Sequence, residues 1–373
     1  MEKFHIRKTF KQKVALTFLC IGYVFLISVS CNNSNKKDRP RAEFEDILNQ
    51  AAQSTMNGNI NEAERILSRS KMKMRQFEKS DNLIGQWHFQ QAVVNYRNRL
   101  YEQAANEFAE ALVVFRSNGT DPESIGSTYV RYTSLLFMLG DVRKTKRFIG
   151  KGLADLDGFC NAEGKYNKDD VLKFRVRLLL LEAEVLIYED HLDEADALLQ
   201  KILPILLSFP DEKYELARFC SLSGSLNFQR GRFLDAKIYL TKALELVKQN
   251  KLEQHIEVGN ILFRLGRISY RLKKFDRAIK YFQNSIADWR SRSPQVNDLE
   301  YQTKIWLGHT YFKKHNNSKA NFYYQSVIDA LKAHSNLSQE QMELLKLATK
   351  AIKIELKDWR NSENSPDTHP KTP

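Results

Sequence analysis

The stretch from Gly259 to Trp289, GNILFRLGRISYRLKKFDRAIKYFQNSIADW, predicts two helices joined by a tight turn at Lys273-Lys274. Apolar residues recur at helical spacing on both sides of that turn. Leu262, Leu265, Gly266 and Phe275 fill one face, and Ala278, Phe282 and Ile286 answer from the second helix. The small residues Gly266 and Ala278 are expected to bring the two backbones close together, with larger neighbours filling the space around the contact. A hairpin of this kind cannot bury its apolar face alone, so adjacent hairpins must cover it.

The small residue that opens the second helix recurs along the chain at Ala63, Ala104, Thr145, Ala195, Ala236, Ala278 and Ala320, at spacings of 41, 41, 50, 41, 42 and 42. The Gly266–Ala278 pattern resembles the tetratricopeptide repeat, whose helix pair carries small residues at its eighth and twentieth positions. The period is longer than the common one of about 34 residues and is similar to the long repeats of kinesin light chains and bacterial sensor-regulators. The resemblance implies an all-α fold, an α-solenoid of about seven long hairpins over residues 42–360. The one long interval contains the polar insertion Gly158 to Asp170.

Local signals fit this division. Turns are expected at Asn57-Gly58-Asn59, Gly140-Asp141 and Gly231, and Asp121-Pro122 reads as a helix start with proline in the first turn. Ala92 is paired with Ala104 and Phe108, Ala183 with Ala195 and Leu199, and Gly224 with Ala236 and Leu240. Ser338 and Gln341 form a capping box for a last helix, running to about Trp359. Its stripe of Met342, Leu345, Ala348 and Ile352 is expected to cover the end of the stack, with Lys346, Lys350 and Lys353 in water. Residues 361–373 read as a polar tail.

Residues 1–30 are basic up to Lys13 and then apolar, ending in Ser28-Val29-Ser30-Cys31. That order is the order of a secretory signal. The cysteine after small residues resembles a bacterial lipobox, although Ser28 stands where that family usually has Leu. The resemblance implies cleavage before Cys31 and palmitate-type lipidation of Cys31; an uncleaved single-span anchor is the other reading. Both place the rest of the chain outside the cytoplasm. Residues 31–41 read as a flexible tether. Its Asn/Ser/Lys bias resembles Bacteroidota lipoproteins, and Asn32, which is not an aspartate, favours the outer membrane over the inner one. With Cys20 in the signal and Cys31 lipidated, Cys160 and Cys220 remain. An exported pair could form a disulfide, but Cys220 falls at a packing position where a buried free thiol is the commoner explanation.

The net charge of +13 favours anionic partners without naming one, and export argues against nucleic acid. Chemistry-bearing motifs are sparse. Gly150-Lys151-Gly152 lacks the third glycine of a nucleotide loop, and there is no HExxH or CxxC. Asp190, Asp193, Glu194 and Asp196 read as a wetted helix start. No catalytic residue, metal or cofactor is assigned. Tyr96, Phe137, Ile187, Phe228, Tyr270 and Phe312 recur at the twelfth place of nearly every repeat, which suits core packing. The second, sixth, ninth and thirteenth places differ between repeats and carry Arg131, Arg177, Arg218, Asn260, Arg264, Arg267, Arg271, His309 and Lys313. First helices line the concave face of a repeat stack, so these residues are the expected partner-binding groove, with scattered solvation of the helices as the alternative. The Lys/Asn carboxylate clamp of peptide-binding repeats is absent. The expected function is a lipid-anchored scaffold for a protein or peptide. A sensory module acting through a separate membrane or DNA-binding partner and a SusD-like glycan-capture lipoprotein stand as alternatives.

Overall fold

A computed structural model describes residues 39–79, 81–119, 121–161, 166–251, 258–292, 298–334 and 336–363. The expected signal, Cys31 and most of both the tether and the tail lie outside these residues. All regular structure among the described residues is helical. The last three residues of the expected tether, Arg39 to Arg41, already belong to the first helix. The protein is an all-α fold of repeated helical hairpins.

Two compact units divide the chain, the first running to Val185 and the second starting at Leu186. In the first unit, α1 (Arg39–Met56) pairs with α2 (Ile60–Ser70), α3 (Asn82–Arg97) with α4 (Tyr101–Ser117), and α5 (Pro122–Met138) with α6 (Val142–Asn161). Most of α7 (Lys168–Tyr188) completes this unit. The second unit holds α8 (Leu192–Leu207), the hairpins α9 (Lys213–Gln229) with α10 (Phe233–Gln249), α11 (Val258–Arg271) with α12 (Phe275–Arg292), and α13 (Asp298–Lys313) with α14 (Asn317–Lys332), and finally α15 (Gln339–Glu363). Within it the first helices α9, α11 and α13 are neighbours in that order.

All seven hairpin turns are built alike. Each places one residue in the left-handed region: Gly58, Arg99, Gly140, Asp190, Gly231, Lys273 and His315. These stand five residues before the seven marker residues and therefore share their spacing. In each turn the next residue's N–H reaches back five positions, as Lys274 N to Ser269 O at 2.8 Å and Asn316 N to Tyr311 O at 2.9 Å. That bond satisfies a carbonyl left over at the helix end. Every marker, including Thr145, is fully buried at 0% exposure. Expected helix starts are also found: Asp121 accepts from Ser124 N at 2.9 Å, and Ser338 and Gln341 bond reciprocally as a capping box.

The helical glycines work differently from the sequence expectation. Gly266 does not chiefly admit the backbone of the second helix; it admits a ring. A Cβ there would lie 2.5 Å from Phe282, which is itself fully buried. Gly308 receives Tyr324 in the same way, and Gly224 receives Leu240, with the Ala236 carbonyl close by. The partner lies sixteen residues downstream in each case. A second register, thirty residues apart, seats Phe115 against Gly85 and Trp289 against Gly259. A flat ring and a missing Cβ together keep the hairpin closely packed.

The long interval between the third and fourth repeats is spent on longer helices. Gly158 to Asn161 continue α6, and Lys168 to Asp170 open α7, giving helices of 20 and 21 residues. On α15 the buried stripe is shifted from the expected one. Leu344, Ala348 and Ala351 are buried, Leu345 and Ile352 flank them, and Met342 is 45% exposed. The reason is that α15 packs on both α13 and α14, so its buried arc is wider than a single contact seam. Lys346, Lys350 and Lys353 face water as expected. Among the described residues, no helix is long and apolar enough to cross a membrane.

Candidate functional site

The expected groove residues fall in both units. In the first, Arg131 is exposed on α5 with its guanidinium 5.7 Å from the Phe89 ring, and Arg177 is half-buried on α7 at 5.4 Å from Phe174. In the second, Arg218 is half-buried on α9, and Asn260, Arg264 and Arg267 are half-buried on α11, followed by exposed Arg271. His309 is half-buried on α13, and exposed Lys313 lies 5.8 Å over Phe312.

Arg264, Arg267 and Arg271 follow at three- and four-residue steps, so they share one face of α11. Arg267 is the best-defined of them. Its guanidinium carbon lies 4.6 Å from the Phe228 ring on α9, 5.7 Å from Phe263 on its own helix and 4.9 Å from Trp306 on α13. Each consecutive first helix of the second unit thus supplies one wall. Nε is enclosed and has no hydrogen-bond partner. No carboxylate among the described residues pairs with this side chain. Burial, with Arg264 and Arg271 adding like-charge repulsion, lowers its pKa to about 10. It is therefore still a cation at neutral pH, one held by aromatic faces.

The surroundings are aromatic as well. Tyr270 meets Trp306 edge-on at 5.4 Å, Trp306 meets His309 at 5.8 Å, and His309 Nδ1 is 2.6 Å from the Tyr324 hydroxyl. Two other arginines of this unit, Arg230 and Arg290, are paired with carboxylates. Arg230, beyond the end of α9, holds Asp196 and Asp193 at 2.5 Å each and donates to the Leu192 carbonyl at 3.2 Å. Its pKa is raised, first by Asp196. Two members of the acidic patch expected to be merely wetted are therefore fastened to the next helix.

Trp306 was missed by a search for basic residues. It occupies the sixth place of its repeat, the same variable place as Arg264 in the repeat before. Departure from the repeat pattern was the available signal, and it needed to be applied to aromatics as well as cations. The twelfth-place residues, expected to pack in the core, mostly sit at its margin, with Phe137, Tyr270 and Phe312 packed against it. Ile187 is 6% exposed, but Tyr96 is 43% exposed, and Phe137, Phe228, Tyr270 and Phe312 are half-buried. Tyr96, Phe228 and Tyr270 pack against the aromatic residue five positions on, across the turn. That leaves a ring face available, and Phe228 offers its own to Arg267. Among the described residues, no group of three or more His, Cys, Asp or Glu is arranged to hold a metal ion.

Residues 217–291, which hold α10 and the Arg267 face of α11, match the family described as tetratricopeptide repeat. The match covers 75 of the 373 residues. A TPR repeat-containing protein of Methanocaldococcus jannaschii is 31% identical over 117 residues, which is 31% of this chain and 18% of that one. The chain thus spans about a fifth of that relative's length. Among solved structures, NprR in complex with its cognate peptide NprX is similar at a TM-score of 0.57 and 15% identity, covering 95% of this chain and 99% of that one. A tetratricopeptide repeat protein from Parabacteroides merdae is similar at a TM-score of 0.50 and 15% identity, covering 83% and 99%. At these identities the likeness to the solved structures is one of fold.

Proposed function

We propose that this chain is an exported scaffold, lipid-anchored through Cys31 at the cell envelope, whose tetratricopeptide repeats bind a protein or peptide without catalysis of their own. The observation that carries the binding role is the first-helix face of the second unit. There, three arginines of α11 and an aromatic surround from α9 and α13 converge, and Arg267 has no acidic partner among the described residues. A face built only for packing is expected to neutralise such a charge internally, as the half-buried Arg230 is neutralised by Asp196 and Asp193. NprR provides a precedent for a peptide ligand on a fold of this kind. The anchoring role rests on the basic, apolar and small-residue order that ends at Cys31.

A photo-crosslinking side chain at Lys313, on the first-helix face, tests the binding role against one at Ile238, which is 67% exposed on the second helix α10. Discrete protein or peptide adducts are expected at 313 and not at 238; equal adducts at both positions would remove the assignment. Radiolabelled palmitate incorporation that survives Cys31→Ala would remove the anchor.

A further inference from the structure

We infer that Arg267 is the receptor for a carboxylate of an acidic peptide, which the aromatic walls Phe228, Phe263 and Trp306 orient for in-plane, two-pronged recognition. The inference rests on the peptide-binding reading above and adds to it the chemistry of the ligand.

A guanidinium has two kinds of surface. Its faces stack on rings, and its edge donates hydrogen bonds in a fork that matches a carboxylate. At Arg267 the rings lie within stacking distance while the hydrogen-bonding capacity is unspent: no hydrogen bond or ion pair to a described residue involves this side chain, and Nε is shut away from water. Only the terminal nitrogens keep solvent access. The rings restrict the side chain's rotamers, so less freedom is lost when a ligand arrives. Arg264 and Arg271 lie on the same helix face and raise the local positive potential. A lone salt-bridge arginine would have its counter-ion in the fold. This one has two further cations on its helix face, so the missing charge is expected to come from outside.

The competing reading is that Arg267 is a strut, present to fill space between α9, α11 and α13. The two readings predict opposite signs for stability. A strut loses packing when shortened to Met. A receptor carries an uncompensated charge in the free protein, so a neutral side chain of similar length relieves that burden and lowers affinity at the same time.

The experiment uses the full chain in detergent, with fluorescein-labelled peptide pools that differ only in a central Glu-Glu or Gln-Gln pair between randomised flanks. Each pool is made with a free and an amidated C-terminus, which separates side-chain from terminal carboxylates. The Glu pool is expected to bind at least about tenfold more tightly than the Gln pool, a gap of roughly 1.4 kcal/mol. Arg267→Met should erase that preference with Tm unchanged or raised, and Arg267→Lys should restore only part of it, because an ammonium lacks the fork. If Arg267→Met lowers Tm and leaves the Glu-over-Gln preference intact, Arg267 is a strut and the inference is overturned. Equal binding of all pools overturns the carboxylate assignment and leaves the peptide-binding reading standing. Absence of binding to every pool overturns both.

Discussion

Arg116 in the first unit and Arg267 in the second are treated in opposite ways by folds made of the same hairpin. Arg116 Nε lies 2.8 Å from Asp155 on the neighbouring hairpin, and the buried Tyr129 donates to the same carboxylate at 2.7 Å. Tyr129 and Asp155 together raise the basicity of Arg116, and burial pushes the Tyr129 phenol well above its ordinary value. The charge is closed within the unit. Arg267 has rings where Arg116 has a carboxylate, and its basicity falls. Arg116 stands near the end of a second helix and Arg267 in the middle of a first helix, and the side chains that meet each of them from neighbouring helices make the difference.

The largest effect is expected where the network is closed. Asp155→Ala leaves Tyr129 and Arg116 without their acceptor and should cost about 2–3 kcal/mol in urea unfolding. A loss of that size from Arg267→Met would erase the distinction between the two regions. Glycines sharpen it from the packing side. Gly266→Ala drives a methyl into the buried Phe282 ring and should cost about 1–3 kcal/mol by overpacking. Gly150→Ala on α6 meets nothing within 4 Å and should gain up to about 1 kcal/mol from helix propensity.

The shared backbone makes a prediction of its own. Arg99 in the first unit and Lys273 in the second both sit in left-handed turns, at φ of 62° and 58°. Replacing either with Gly should stabilise by about 1 kcal/mol, and by similar amounts in both units. Unequal gains would show that the two stacks do not share one turn. A pH experiment probes burial in the second unit. Cys220 is buried and its thiol is pushed up to about 11, with Lys242 opposing slightly. Its folded-state pKa exceeds the unfolded one, so stability is steady below about pH 8.5 and falls as pH rises toward 11. At pH 10 wild type should lose on the order of 1 kcal/mol more than Cys220→Ala, each relative to its own value at pH 8. Parallel curves would place the thiol in water. The smallest effect is the one expected of Arg267→Met on the free protein, no loss at all.

Much of the fold was legible because a repeat states its period many times over. The seven markers recur at the spacing of the seven turns, and Asp121-Pro122 and Ser338 with Gln341 announced helix starts through local bonds alone. The α15 stripe was right at Ala348 but wrong at Met342, and it left out Leu344 and Ala351, because its buried arc answers to two neighbouring helices rather than to its own sequence. The site was half legible. Arg264, Arg267 and Arg271 were visible as departures from the pattern, whereas Phe228 was assigned to packing and Trp306 was not singled out.

The sequence by itself determined the helices, the turns and the spacing of the hairpins, since these follow from backbone bonding and apolar periodicity over short distances. Tertiary structure alone decided that Phe282 and not a bare backbone fills the notch at Gly266, and that Phe228, Phe263 and Trp306, drawn from three helices, close on one arginine. Whether a charge finds a carboxylate or only rings depends on which side chains of different helices meet across a few ångströms, and neither composition nor period along one chain encodes that meeting.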